Sequence, residues 1–101
     1  MATNDIVVTK TLSDGSVIVE SPRGSAHMKS VAPGVLFYHC AGFFSTGFYA
    51  PMVAVAQREM DQLGNVVMLV DAWELSSIDT GYREAWTEWF KLHKQTFRMH
   101  L

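Results

Sequence analysis

Apolar positions along the chain form unbroken runs, helical stripes and short β-rich runs, and these patterns predict the elements of the fold. Two runs, residues 35–41 and 66–70, are almost wholly apolar and carry several β-branched residues. A strand with this composition and no alternation is covered on both faces, as the central strands of α/β sheets are. The sequence therefore predicts two central strands, the second ending at Asp71.

A helical stripe lies between the two central strands, over residues 51–63. Pro51 suits the first turn of a helix, where its missing N–H costs little, and Gly64 suits the position just past the end. The apolar positions of the stripe are Met52, Val53, Ala56, Met60 and Leu63. A strand, a helix and a strand in this order predict a βαβ crossover with two parallel strands.

A second helical stripe follows the polar residues 74–79, which predict a loop. It begins at Gly81, and its charged residues occupy the face opposite the apolar one. The residues on its inward face are Tyr82, Ala85, Trp86, Trp89, Phe90 and His93. Residues 97–101 then predict a last short strand.

The N-terminal part of the chain predicts a β-hairpin. Residues 6–9 and 17–20 are β-rich runs, and Asp14-Gly15 lies between them, where Gly adopts positive φ at little cost. Residues 21–25 predict a second turn, and residues 32–34 a third. Together the elements predict an α/β fold in one domain, residues 1–101. It has a mixed β-sheet with an N-terminal hairpin, parallel central strands and two packed helices.

Composition narrows the classes of function. Of the 101 residues, 49% are hydrophobic and the formal net charge is −2, so a phosphate-backbone binder is not expected. No apolar stretch approaches the length of a membrane span, and the first residues lack the pattern of a signal peptide, so we expect a cytoplasmic protein. The hydrophobic content is high for so short a chain. We therefore expect part of this surface to be buried in a homo-oligomer.

Few residues predict catalytic chemistry. His39 and Cys40 are adjacent on a predicted strand, so their side chains point to opposite faces and cannot form a dyad. The single cysteine and the spacing of the histidines predict no metal site. Residues 42–47 follow a strand as a phosphate loop would, but they lack the Gly-Lys-Ser/Thr ending, so no cofactor is expected.

Asp71 and Asp79 both lie near the end of the second central strand. In open α/β sheets this end is where ligands and partners usually meet the protein. Two carboxylates there could form an acid/base or Mg²⁺ pair, but no lysine or histidine of catalytic spacing accompanies them. The sequence therefore favours a non-enzymatic protein without catalytic residues.

Thr80 begins the second helix and has two interpretations. Its hydroxyl could cap the helix by accepting a backbone N–H. Alternatively, Thr80 could carry a regulatory phosphate, which would add nearly two negative charges at the positive end of the helix.

The order of the elements carries a family resemblance. The chain has a strand ending at Gly42, a crossover helix, an apolar strand ending at Asp71, and then Leu75-Ser76-Ser77-Ile78-Asp79-Thr80-Gly81-Tyr82. Over about residues 16–101, this arrangement resembles a STAS domain, the fold shared by anti-sigma-factor antagonists and sulfate-transporter tails. The last string is similar to the family's apolar–Asp–Ser/Thr–Ser/Thr–Gly–apolar loop.

The resemblance implies a signalling module in which a partner kinase phosphorylates a hydroxyl of this loop. The loop is one residue shorter here: alignment on Gly81 makes Thr80 the phosphoacceptor, whereas alignment on Asp79 does not. STAS domains usually carry a further helix after the last strand. Its absence from this sequence implies an uncovered sheet face, and hence a dimer, a larger assembly or a truncated chain.

We therefore expect a STAS-like protein-interaction module. We expect its partner to be a protein, and a kinase-type regulator is one such partner. The expected contact residues are Asp71, Ser76, Ser77, Asp79, Thr80, Tyr82 and Arg83. The alternative is a domain that binds a small-molecule or lipid-like ligand with its aromatic cluster, and an enzyme acting through Asp71 and Asp79 comes third.

Overall fold

A six-stranded sheet with two helices is the framework of the molecule. The structure is a computed structural model that describes residues 6–100, with the side chains of residues 6–99. Adjacent strands of the sheet follow the chain order from β1 to β6. The elements are β1 (Val8–Thr11), β2 (Val17–Ser21), β3 (Gly24–Ala32), β4 (Val35–Phe44), a 3-10 turn (Thr46–Phe48), α1 (Tyr49–Leu63), β5 (Val66–Ile78), α2 (Thr80–His93) and β6 (Phe97–His100).

The predicted class is confirmed, because the sheet combines an antiparallel N-terminal half with a parallel C-terminal half. β1 to β4 are antiparallel neighbours, whereas β5 runs parallel to β4 and β6 runs parallel to β5. Parallel neighbours need a crossover connection. The two helices supply it, α1 between β4 and β5, and α2 between β5 and β6.

The predicted hairpin is confirmed, and its turn closes as its sequence indicates. The Leu12 N–H donates to the Ser16 carbonyl over 2.8 Å, and Gly15 has a φ of +86°. The second predicted turn is shorter than expected, because residues 24–32 form β3. Ala26 and Met28 are buried along this strand and alternate with more exposed neighbours, so the strand has one core-facing side.

The buried residues form one cluster on a single side of the sheet. On this side, which we call the helix side, Val19, Met28, Leu36 and Met68 are almost completely buried beneath α1 and α2. The opposite side, which we call the outer face, has no helix against it within residues 6–100. The strands therefore alternate between a packed side and a more exposed one.

Helix α1 packs through a stripe that differs slightly from the predicted one. Met52, Ala56 and Met60 are buried as expected, and Gly64 ends the helix at φ +86° with its N–H donating to the Met60 carbonyl. Leu63 is 48% exposed, so its predicted place in the core is wrong. Val55, which the predicted stripe did not include, is buried instead.

Helix α2 is held through its aromatic side chains. Trp86 and Trp89 are buried, and the Trp89 ring meets that of Phe97 edge-on, with a centroid separation of 4.7 Å. The Trp89 indole N–H donates to the Gln57 side chain on α1 over 3.0 Å. Such pairs combine apolar burial with a preferred ring geometry, so they fix the helix against both the sheet and α1.

β5 is much longer than the sequence predicts. Residues 74–79 were expected to be a loop, but β5 continues to Ile78, and only Asp79 lies between it and α2. β5 is longer because β4 also extends, to Phe44, and provides a pairing strand. Phe43 pairs with Ser77, and Phe44 pairs with Ile78. Two irregularities in this register accommodate the extra residues of β5.

Candidate functional site

The residues predicted to bind a partner lie along the second half of β5 and the first turns of α2. Five of them are exposed: Ser76, Ser77, Asp79, Thr80 and Arg83. Tyr82 is only 7% exposed, because α2 turns this ring into the core, and Asp71 is half-buried on the outer face. Most of the predicted set is thus exposed, within residues 76–83 of the chain.

Asp79 caps α2, so the interpretation of Thr80 as the cap is wrong. Asp79 is the N-cap residue, with extended backbone, and its Oδ1 accepts the Gly81 N–H over 3.4 Å. The other carboxylate oxygen accepts the hydroxyl of Thr46 over 3.1 Å, and the Asp79 N–H donates to the Phe44 carbonyl. Because Asp79 satisfies these groups, Thr80 is simply the exposed first residue of the helix.

Asp71 is engaged by a histidine that the sequence analysis did not connect with it. Its Oδ2 lies 3.0 Å from His39 Nδ1, and its Oδ1 accepts the Trp73 backbone N–H over 3.3 Å. The hydrogen bond from His39, followed by that from Trp73, lowers the pKa of Asp71 from its usual value. Glu74 lies on the other side, 3.5 Å from His39 Nε2.

This arrangement gives Asp71 and Asp79 separate structural roles. Asp71 joins β5 to β4 through His39, whereas Asp79 starts α2. Both ring nitrogens of His39 face carboxylates, those of Asp71 and Glu74. The missed contact follows from the register of the parallel strands, in which His39 stands opposite Asp71. Sequence spacing alone does not contain that register.

Cys40 lies on the helix side, opposite the adjacent His39. It is 2% exposed, and burial raises the pKa of its thiol to about 12. A thiol in this environment stays protonated and is a poor nucleophile. The predicted separation of these two side chains onto opposite faces is therefore confirmed.

Trp73 is the most exposed large apolar side chain described, at 94%. It follows Asp71 and Ala72 at an irregularity of β5. β6 pairs only with residues 66–69 of β5 in the described part of the chain, so residues 70–78 have a neighbouring strand on the β4 side alone. Trp73 therefore lies on a stretch of β5 whose second edge, within residues 6–100, has no paired strand, and we call this stretch the open β5 edge.

A cavity of about 320 Å³ lies between α2 and the helix side of β4 and β5. Its wall is almost entirely apolar and includes Met68, Val70 and Phe90, and its exposed residues are Arg83, Thr87 and Met99. We call it the α2 cavity. Ala72, Leu75 and Ile78 of β5 line the cavity, whereas Trp73, Ser76 and Ser77 do not.

Two tyrosines and a tryptophan supply the buried polar atoms of the α2 cavity. The Tyr38 and Tyr82 hydroxyls are 2.8 Å apart, and burial raises the pKa of Tyr82 to about 12 and also raises the pKa of Tyr38. The Trp86 indole N–H is the third of these polar groups, and its interaction with the Tyr82 hydroxyl lowers the pKa of Tyr82. Its geometry nevertheless makes no hydrogen bond, so this buried N–H has no partner among the described residues.

Comparisons with family models, with curated proteins and with solved structures give no match to this chain. Within the described residues, no group of three or more His, Cys, Asp or Glu side chains could hold a metal ion. No helix in residues 6–100 is long and apolar enough to cross a bilayer.

Proposed function

We propose that this chain is a non-enzymatic, STAS-like protein-interaction module of the cytoplasm. It binds a protein partner through the open edge of β5 and the start of α2. The observation that carries the proposal is Trp73, whose side chain is 94% exposed beside residues that, within the described chain, pair with β4 alone. Burying a tryptophan of this exposure against a partner is strongly favourable, and Trp is enriched among the residues that dominate binding energies.

The open edge of β5 supplies directional groups for the same contact. A strand paired on one side presents a row of backbone N–H and C=O groups that an added strand can pair with. Ser76 and Ser77 are exposed along this edge, and Thr80 and Arg83 continue the polar surface onto α2. An aromatic anchor with a polar rim is the usual composition of a protein–protein interface.

In this proposal, phosphorylation of Thr80 regulates the binding of the protein partner. Its side chain is exposed and free of the capping role that Asp79 fills. A phosphate added there by a kinase-type regulator would place negative charge beside the Asp79 carboxylate within the contact surface. Like charges and desolvation would then weaken the bound state. A phosphate on Thr80 in natively purified protein is the expected observation by mass spectrometry.

The outer face supports self-association as part of the same proposal. Val35, Phe37 and Val67 are half-buried on this face, and Leu69 is 38% exposed. A contiguous apolar patch of this kind is typical of an interaction surface. We therefore propose that two copies pair through their outer faces, which leaves the β5 edge for the heterologous partner.

The test compares bait proteins in quantitative affinity capture from the native source. Trp73→Ala should lose the proteins that wild type retains, because the anchor is removed while the fold is unchanged. Leu92→Ala is the matched control, since Leu92 is 79% exposed on α2 and belongs neither to the β5 edge nor to the α2 cavity. Equal retention by wild type and both variants would contradict the proposal, as would a substrate turnover that Asp71→Asn and Asp79→Asn both abolish.

A second function, the binding of a small apolar molecule, is favoured by the α2 cavity. Its volume of about 320 Å³ lies at the lower end of the range for ligand pockets, about 300–1,000 Å³. This function does not require the open β5 edge, so the two can be tested separately.

A further inference from the structure

The buried polar groups of the α2 cavity have more donors than the described structure uses. Tyr38 and Tyr82 together carry two hydroxyl protons, and their mutual hydrogen bond uses one of them. Neither hydroxyl makes another hydrogen bond to the described residues, so the second proton is left over. The Trp86 N–H is a further donor without a partner, on a residue that is 5% exposed.

An unpaired donor at such a site is costly, since it has given up its hydrogen bond to water without gaining another. Most buried donors in proteins therefore have an acceptor. Here the donors belong to side chains that line the same cavity, and the remaining wall offers mainly carbon atoms. A ligand that fits the cavity must place an acceptor oxygen at these donors and apolar surface against the rest of the cavity wall.

We propose that the α2 cavity binds a small, uncharged, apolar molecule through a carbonyl oxygen. The oxygen accepts the Trp86 N–H and the spare proton of the Tyr38–Tyr82 pair, and the apolar body fills the space beside Met68 and Phe90. The tyrosines stay neutral donors at physiological pH. The molecule is small because the cavity holds only about 320 Å³.

Charge distinguishes this ligand from a fatty acid. A carboxylate at the buried donors would lose its hydration without a neighbouring cation, which is strongly unfavourable. The cation at the cavity is Arg83, which is exposed, and no ion pair to it occurs among the described residues. A fatty acid would therefore place its carboxylate at Arg83 and its chain inward, leaving the Trp86 N–H without an acceptor.

Three probes of equal chain length separate these possibilities. They are the nine-carbon methyl ketone nonanone, the alkane nonane and the carboxylate nonanoate, each titrated into the full chain carrying isotopically labelled tryptophan. Nonanone should bind and shift the Trp86 indole proton resonance downfield, as a new hydrogen bond does. Nonane should bind without that downfield shift.

Two tryptophan variants provide the matched comparison. Trp86→Phe keeps an aromatic ring but removes the free donor, so the Kd of nonanone should rise about three- to tenfold while that of nonane changes little. Trp89→Phe is the control, since its N–H already donates to Gln57 and Trp89 does not line the cavity. That variant should bind both probes as wild type does. Tyr82→Phe should likewise weaken nonanone selectively.

Several outcomes would overturn the proposal. One is that neither nonanone nor nonane binds the wild-type chain, a result that does not depend on the folding of any variant. Another is an equal rise of both Kd values in Trp86→Phe, which would reduce Trp86 to a packing residue. A third is tighter binding of nonanoate than of nonanone with a loss in Arg83→Gln, which would assign the site to an anion. None of these results bears on capture of a protein partner through Trp73.

Discussion

Single residues decide where α2 begins. Asp79 accepts the Gly81 N–H and the Thr46 hydroxyl, and it donates its own N–H to Phe44. One residue thus ties the helix start to the end of β4 and to the turn after it. A carboxylate at an N-cap also interacts favourably with the positive end of the helix.

The first prediction at this scale concerns Asp79 and Thr80. Asp79→Ala should lower the free energy of unfolding by about 1 kcal/mol or more, because the capping acceptor is lost. Thr80→Ala should change it by only a few tenths of a kcal/mol, since Thr80 accepts no backbone N–H. Urea denaturation of the purified variants measures both values.

Asp79→Asn is the matched control for that measurement, because asparagine is also a good N-cap residue. It should retain most of the stability that Asp79→Ala loses. A larger loss of unfolding free energy in Thr80→Ala than in Asp79→Ala would show that Thr80, and not Asp79, caps the helix.

At the scale of elements, the contact between the ends of β3 and β4 depends on two glycines. Gly24 pairs with Gly42, and Gly42 has a φ of +79°. A Cβ built on Gly42 would collide with the backbone carbonyl of Arg23, and one on Gly24 with that of Phe43. Backbone atoms cannot turn aside as a flexible side chain can, so the two strands can approach only without side chains there.

This close approach predicts different costs for similar substitutions. Gly42→Ala and Gly15→Ala both place alanine at positive φ, but a Cβ on Gly15 would meet nothing within 4 Å. Gly15→Ala should therefore show only the backbone strain, whereas Gly42→Ala should lose about 1–3 kcal/mol more from overpacking. Thermal and urea unfolding of the two variants measure the difference. Equal losses would contradict the steric argument.

At the scale of the whole molecule, the two sides of the sheet differ in what covers them. The helix side is buried under α1 and α2, and the outer face keeps partly exposed apolar side chains beside the His39–Asp71 pair. Burial of apolar surface contributes roughly 25 cal/mol per Å², so pairing of two outer faces would be stabilising.

The prediction is that wild type forms a dimer with twice the 11.3 kDa mass of the chain. Leu69→Lys should shift it to the monomer, because a charge would be buried in the apolar contact without a partner. Light scattering over a concentration series measures the masses, and Leu92→Lys is the control at an exposed position outside the outer face. A wild-type chain that stays monomeric at high concentration would contradict the proposal.

The sequence by itself determined the elements whose apolar pattern has a clear period. The stripe of α1, the aromatic face of α2 and the Asp14-Gly15 hairpin were all predicted, because local periodicity and turn chemistry specify them. The fold class followed from the order of those elements. The opposite orientations of His39 and Cys40 followed from strand alternation, which is also local.

Tertiary structure alone decided the rest, because it depends on which segments become neighbours. Residues 74–78 include Glu74, Ser76 and Ser77 and read as a loop, yet they form strand because β4 extends beside them and pairs with the backbone groups on its side. The His39–Asp71 pair forms because of the register between two parallel strands. The cap at Asp79 depends on where β5 ends. The α2 cavity depends on the distance between α2 and the sheet, and the sequence pattern of either element does not specify that distance.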